Sequence, residues 1–309
     1  MEASKFAVPG SFVNRTIIVT GGAGSIGHPL SIAFARAGAN VVVNDLGGNA
    51  DGGGASTQAA DRVVEEIQSF GGKAVAHYNS VTSGEKIVAT AITNFGSIDV
   101  IVNNAGIVRH GNVESQSLED FRSVFEVNTL GAISLILAAW PYFQKQGYGR
   151  IVNFISDSVD GMRNLSSYIV SKAALIGATK SFALEGAEFG VLVNAVGPVA
   201  FSRMRGPTMP DEAEQERLKD LYSGEGNVPM ILALCHESSD ISGRIFCLGS
   251  FNVSELVLGF KYGVSDARTM ADCLNNRDLI LGPGKEIYEA SNINDLMAKR
   301  AGGYSSLLR

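Results

Sequence analysis

Cysteine and histidine are scarce in this sequence, three and four among 309 residues. Cys235, Cys247 and Cys273 form no C-x-x-C pair and the histidines are scattered, so neither a disulfide framework nor a metal site is expected. There is no basic run, and the formal net charge is -6, which argues against a nucleic-acid partner. No apolar run reaches the roughly 20 residues of a membrane-spanning helix, so no membrane partner is expected. The first ten residues lack the apolar segment of a secretory signal, and the last three are Leu-Leu-Arg rather than the S-K-L address. The expected compartment is cytoplasmic or peroxisomal, without a recognisable address. The expected partners are a small-molecule substrate and copies of the same chain, as a homodimer or homotetramer.

What is present is 45% hydrophobic and 18% charged, the balance of a globular chain long enough for a large core. The run T-I-I-V-T (16–20) predicts a buried strand, G-G-A-G-S-I-G (21–27) a glycine turn, and the apolar spacing to about Arg36 a helix. In that order they let backbone approach a pyrophosphate while the helix N-terminus offers N–H groups and partial positive charge. Gly21, Gly24, Ser25, Ile26 and Gly27 are therefore candidate phosphate contacts. A second strand (40–44) ends at Asp45, whose carboxylate would accept hydrogen bonds from ribose hydroxyls and repel a 2′-phosphate, so NAD is expected over NADP. The glycine-rich stretch 47–54 reads as a flexible loop. Helix 57–70, strand 73–78, helix 83–95 and strand 98–102 follow, with Asn79 and Ser80 at a strand's carboxyl end, where open parallel sheets bind ligands. The alternation predicts an α/β fold, a doubly wound parallel sheet of Rossmann type. We expect a lead (1–13), a single catalytic domain (14–250) and an extension (251–309) packed on it.

Acid–base chemistry concentrates between Ser156 and Lys172. Tyr168 and Lys172 lie four apart on a predicted helix and share a face. A protonated Lys172 would lower the tyrosine's pKa and let Tyr168 serve as an acid or base at neutral pH. Ser156, after the run R-I-V-N-F-I (150–155), would hydrogen-bond the same substrate oxygen, with Ser158 as its rival. Beyond them, 191–196 is predicted as a strand, 212–219 as a charged helix that is either a lid or a solvated face, and 243–249 as the last strand.

The ordered motifs from about Asn14 to Gly249 resemble the short-chain dehydrogenase/reductase family. The resemblance implies a catalytic set of Tyr168, Lys172, Ser156 and Asn128, the asparagine of E-V-N-T-L-G (126–131) ordering a water between the lysine and solvent. It implies cofactor contacts at Asn104, Ala105 and Gly106 of the N-N-A-G turn, at Asn79, Ser80, Val199 and Ser202, and at Tyr168 and Lys172. Asn103 takes a structural role. Short islands at 43–48, 78–81, 202–204, 209–210 and 234–238 are similar to the (3R)-hydroxyacyl-CoA dehydrogenase units of peroxisomal multifunctional enzymes of type 2. A 3-hydroxyacyl thioester, a steroid or an intermediate of secondary metabolism is the implied substrate. Three positions depart from the pattern: Ser25 and Val199 stand where glycines are usual, and Asn79 replaces an acidic residue. The alternative reading of the departures at Ser25 and Val199 is a dinucleotide-binding sensor or scaffold with weak or no turnover.

Overall fold

Strand β1 (Thr16–Thr20) and strand β2 (Asn40–Asn44) flank helix α1 (Gly27–Arg36), and all three are bounded as the sequence predicts. Along β1, Ile17 and Val19 point into one core while Ile18 points into another, and β2 divides Val41 and Val43 from Val42 in the same way. A strand alternates its side chains between faces, so a continuous apolar run marks a sheet covered on both sides. Helices α2 (Gln58–Ser69) and α3 (Gly84–Phe95) alternate with β3 (Lys73–His77) and β4 (Val100–Asn103). Next come α4 (Leu118–Phe125), α5 (Gly131–Gln146), β5 (Gly149–Phe154), α6 (Ser166–Gly186) and β6 (Val191–Pro198). The series ends with α7 (Glu212–Leu221), α8 (Val228–Cys235), β7 (Ile245–Gly249) and β8 (Asn252–Glu255).

The sheet runs β3-β2-β1-β4-β5-β6-β7-β8. All its pairs are parallel except β7 with β8. The first core holds Leu30 and Phe34 of α1, Val63 and Ile67 of α2, and Ile231 and Leu232 of α8. The second holds Ile87 and Ala91 of α3, Leu135, Ile136, Ala139 and Phe143 of α5, and Ala183 of α6. This is the doubly wound arrangement expected.

The structure is a computed structural model and describes residues 6, 8, 10–201, 212–261, 264, 267–281, 287–290, 292 and 294–297. The chain falls into two compact units, Met1–Glu255 and Leu256–Arg309. Within the second, β9 (Gly259–Lys261) pairs antiparallel with β10 (Ile287–Glu289). Helix α9 (Met270–Asn275) begins with a capping box between Thr269 and Asp272, and α10 (Arg277–Leu281) follows.

Three expectations need correcting. The stretch 243–249 is not the last strand of the sheet, because β8 turns back and pairs with β7 (Gly249 with Asn252, Phe246 with Glu255). The reversal runs through Ser250 and Phe251, both at positive φ, and neither is the glycine or asparagine that such positions favour. Strand β4 begins at Val100 rather than Ile98 because its pairing with β1 starts at Ile17 and Val100. Finally, helices α4 and α5 join through a π turn, Glu126–Leu130, into one 29-residue helix, Leu118–Gln146, long and apolar enough by composition to cross a membrane. Its Leu135, Ile136, Ala139 and Phe143 lie in the second core, which accounts for that apolarity.

Candidate active site

Strand order reverses between β1 and β4, and open α/β sheets bind ligands at such a switch. A pocket of about 1020 Å³ opens there. One wall is the glycine turn after β1. Gly21 has φ +60°, and a Cβ on it would lie 2.8 Å from Asn104 Nδ2. A Cβ on Gly27 would run into Gly21 O, so the first turn of α1 closes against the turn only with glycine at this point. Helix α1 has no side-chain cap and no acidic residue in its first turn, so although His28 N is held by Gly24 O at 2.9 Å and Pro29 has no N–H, the positive end of the helix is not neutralised by the chain's own side chains. Ser25 and Ile26 line the pocket with Gly21 and Gly24, while Gly27 lies buried behind them.

The N-N-A-G turn after β4 is tied to that wall. Asn104 Nδ2 donates to Thr20 O at 2.8 Å and Gly21 O at 2.9 Å, and Ala105 N donates to Thr20 Oγ1 at 3.0 Å. Thr20 is thus a positioning residue the sequence did not single out. Asn103 points inward, donating to Asn153 Oδ1 at 2.9 Å, which fits a structural role. Asp45 leaves β2 into the pocket, where its oxygens accept from Ala23 N at 2.9 Å and Gly47 N at 2.7 Å. A carboxylate has about four acceptor sites, so both oxygens keep capacity for ribose hydroxyls. Asn79 and Ser80 line the same end of the pocket, and so do Gly48, Asn49, Ala50 and Gly52 of the glycine-rich loop. That loop is held by Asn49 N to Gly53 O (2.7 Å) and Val108 N to Ala50 O (2.9 Å), contacts no local pattern foretells.

The opposite wall carries the acid–base groups. Helix α6 presents Tyr168 and Lys172 on one face, and the end of β5 leads into Ser156. Lys172 is buried, and its ammonium donates to Phe154 O at 2.6 Å. Burial lowers its pKa to about 8. Burial likewise pushes the Tyr168 hydroxyl up, the hydrogen bond with Ser156 opposes this, and the Asp157 charge adds to the rise. The expected lowering of Tyr168 by Lys172 is therefore corrected. The ammonium is turned to a carbonyl and sits 5.8 Å from the Tyr168 ring centre, so desolvation of the phenol prevails.

Ser156 and Ser158 hydroxyls are 2.8 Å apart, and of the two it is Ser156 that acts on Tyr168, lowering its pKa against the effect of burial. Asn128 sits in the π turn, buried, and grips Ile107 from both sides: its Oδ1 accepts from Ile107 N at 2.7 Å and its Nδ2 donates to Ile107 O at 3.0 Å. Nδ2 also reaches Ser171 Oγ at 3.0 Å. A Cβ on Gly106 would lie 3.2 Å from Asn128 Oδ1 and 3.4 Å from Lys172 Nζ, so only glycine leaves these two their present spacing. Val199 lines the pocket and is fixed by Val199 N to Leu248 O at 2.7 Å. Ser202 lies outside the described residues, as do the islands 202–204 and 209–210. Asp157, Met162, Arg163 and Leu165 also line the pocket and were not anticipated; only Asp157, next to Ser156, had a sequence position that could have flagged it.

A doubly wound sheet with an uncapped glycine turn, a carboxylate after β2 and a Ser-Tyr-Lys wall defines a dinucleotide-binding α/β oxidoreductase. The chain belongs to the short-chain dehydrogenase/reductase family: the family model for short chain dehydrogenases matches residues 15–212. It is 38% identical to the peroxisomal hydratase-dehydrogenase-epimerase of Saccharomyces cerevisiae over 94% of this chain and 33% of that protein. It is 41% identical to the mouse peroxisomal multifunctional enzyme type 2 over 81% of this chain and 34% of the relative. The chain thus spans about a third of the length of these two relatives. A short chain dehydrogenase from Mycobacterium avium, solved by crystallography, superposes with TM-score 0.75 at 31% identity, covering 91% of this chain and 99% of that one. Membership makes this chain a hydroxyl/ketone oxidoreductase that uses a nicotinamide dinucleotide, and the glycine cradle and the uncapped N-terminus of α1 suit such a group.

Proposed function

We propose that this chain interconverts a secondary alcohol and a ketone with NAD as its cofactor, and that a 3-hydroxyacyl thioester is the substrate class. The observation that carries the reading is the convergence of Ser156, Tyr168 and Lys172 on one wall of a pocket whose other wall is the glycine turn. When bound, the dinucleotide supplies the hydride acceptor or donor. The protein's residues do the rest. Ser156 holds the substrate oxygen and, through its bond to Tyr168, eases ionisation of the phenol. Tyr168 removes the alcohol proton in oxidation and returns it in reduction. Lys172 brings positive charge to the pocket floor and would bond the nicotinamide ribose. Asn128, across Gly106 from Lys172, would order a water that carries the proton onward.

Preference for NAD rests on Asp45, whose carboxylate would accept from the ribose hydroxyls and repel a 2′-phosphate, and Asn79 and Ser80 would border the adenine. The thioester assignment rests on the similarity to the multifunctional enzymes, and a cytoplasmic or peroxisomal location is proposed on the same ground. Exposed Leu137 on α5 and Val170 and Leu184 on α6 support self-association as a dimer or tetramer, which sedimentation would read. The decisive experiment offers NAD and a panel of secondary alcohols, 3-hydroxyacyl thioesters included, to the protein and to Tyr168→Phe while following the reduced cofactor. Tyr168→Phe should lose oxidation and keep NAD affinity within a few-fold. Turnover within tenfold of the parent would refute the role of Tyr168, and no turnover of any alcohol by the parent would favour the sensor or scaffold reading.

A further inference from the structure

Asp157 follows Ser156 directly and lines the same pocket. It opens the 3-10 turn Asp157–Asp160, for which Ser156 is the N-cap, accepting from Ser158 N. The Asp157 carboxylate reaches across the ends of β6 and β7, where Gly197 and Cys247 are register partners. Gly197 makes the room: a Cβ there would run into Asp157 Oδ1 and lie 3.3 Å from the Ser156 carbonyl carbon. Cys247 lies beside Gly197 on β7, and burial together with the nearby carboxylate holds its thiol up to about 11, so it stays protonated and can donate to Asp157. A carboxylate seated between a glycine gap and a thiol donor, one residue from the substrate-holding serine, has a defined place.

We propose that Asp157 is a positioning residue of this active site, whose carboxylate, tied to Cys247 and seated over Gly197, fixes the turn presenting Ser156 and places a negative charge beside Tyr168. The charged or titratable groups that face Tyr168 are Lys172 from its own helix and Asp157 from the turn. Those facing Asp157 are Cys247 from β7, Asp160 from the same turn and Tyr168 from α6. A negative neighbour disfavours the phenolate. Removing that charge should therefore let Tyr168 ionise at lower pH.

The inference rests on Tyr168 as the proton-transfer group, so the test reads ionisation with and without turnover. For Asp157→Asn, Asp157→Ala and the charge-retaining Asp157→Glu, one measures the pH profile of kcat for alcohol oxidation. Each is paired with an ultraviolet difference titration against a matching Tyr168→Phe background. The neutral variants should move the rising limb and the Tyr168 titration to lower pH, and Asp157→Glu should leave both near the parent's. A neutral variant that folds and shifts neither, or shifts them upward, overturns the charge assignment. Cys247→Val should lower kcat roughly tenfold with KM nearly unchanged, the worth of one hydrogen bond, and Cys247→Ser should restore it. Full activity in Cys247→Val overturns the anchoring. A titration that shifts while Tyr168→Phe still turns over would instead count against Tyr168 as the acid–base group and leave Asp157's charge assigned.

Discussion

Replacing Lys172 with methionine should end turnover and yet leave the fold as stable as before, or more so, at neutral pH. Lys172 is 3% exposed, and burial takes its pKa from 10.5 to about 8. A shift of that size corresponds to about 3 kcal/mol for holding the charged form inside the protein. Methionine keeps most of the volume and removes this cost. Against it stands Phe154 O, which loses the donor now at 2.6 Å, an effect of about 1–3 kcal/mol. The net expectation is a gain of about 0–2 kcal/mol at neutral pH. The pH dependence has a definite sign. The folded-state pKa is depressed, so the folded chain releases the Lys172 proton near pH 8 while the unfolded chain keeps it until near 10.5. In that window the unfolded state holds more protons, and the parent gains stability as pH rises while the variant gains nothing from this site. Urea unfolding of both proteins should show the variant's lead shrinking by about 2 kcal/mol between neutral pH and about pH 10. A variant destabilised by more than about 2 kcal/mol at neutral pH, or a difference independent of pH, would refute the claim that the burial cost outweighs the hydrogen bond.

Asp45→Ser should shrink the NAD over NADP preference, which we expect to be at least about tenfold in kcat/KM for the parent, mainly by weakening NAD. Competition kinetics with both cofactors decide it, and a parent that prefers NADP would contradict the role given to Asp45. Ser156→Ala should lower kcat by about 10²-fold, the usual loss for a donor at a reacting oxygen, while Ser158→Ala should cost only a few-fold. The reverse order would transfer the role to Ser158. Gly27→Ala should weaken cofactor binding by calorimetry and lower the unfolding midpoint, because its Cβ meets Gly21 O; unchanged affinity would mean the turn can open.

Much of this fold was legible because its strands are buried on both faces, and β1 and β2 carry apolar runs closed by a glycine and an aspartate. Asp45, Asn104 and Tyr168 were legible for a related reason: each stands next to a strand end or helix face whose position the local pattern fixes. What escaped was non-local. Thr20 serves Ala105 across 85 positions, and the 47–54 loop is held by Val108. Strand β8 escaped because N-V-S-E is exposed throughout and shows no alternation. The Tyr168 pKa was misjudged because spacing reveals that a lysine is near but not where its ammonium points.

The π turn at Asn128 has a consequence for how this chain can vary. It places one residue more in the helix than regular α-helical winding needs. Before it, α4 packs on α6, where Tyr168 and Lys172 reside; after it, α5 packs on α3 through Leu135, Ile136, Ala139 and Phe143. Deleting one residue within the turn would let the helix close into regular winding with α4 and α5 still facing α6 and α3, but the Asn128 amide would lose its hold on Ile107. Deleting one elsewhere in the helix would turn the two sides by about 100° relative to each other. Substitutions along the exposed face of α4 would be absorbed, whereas any change in the number of residues between Ser117 and Gly147 would not. In this helix the number of residues constrains the site as firmly as the identity of Asn128 does.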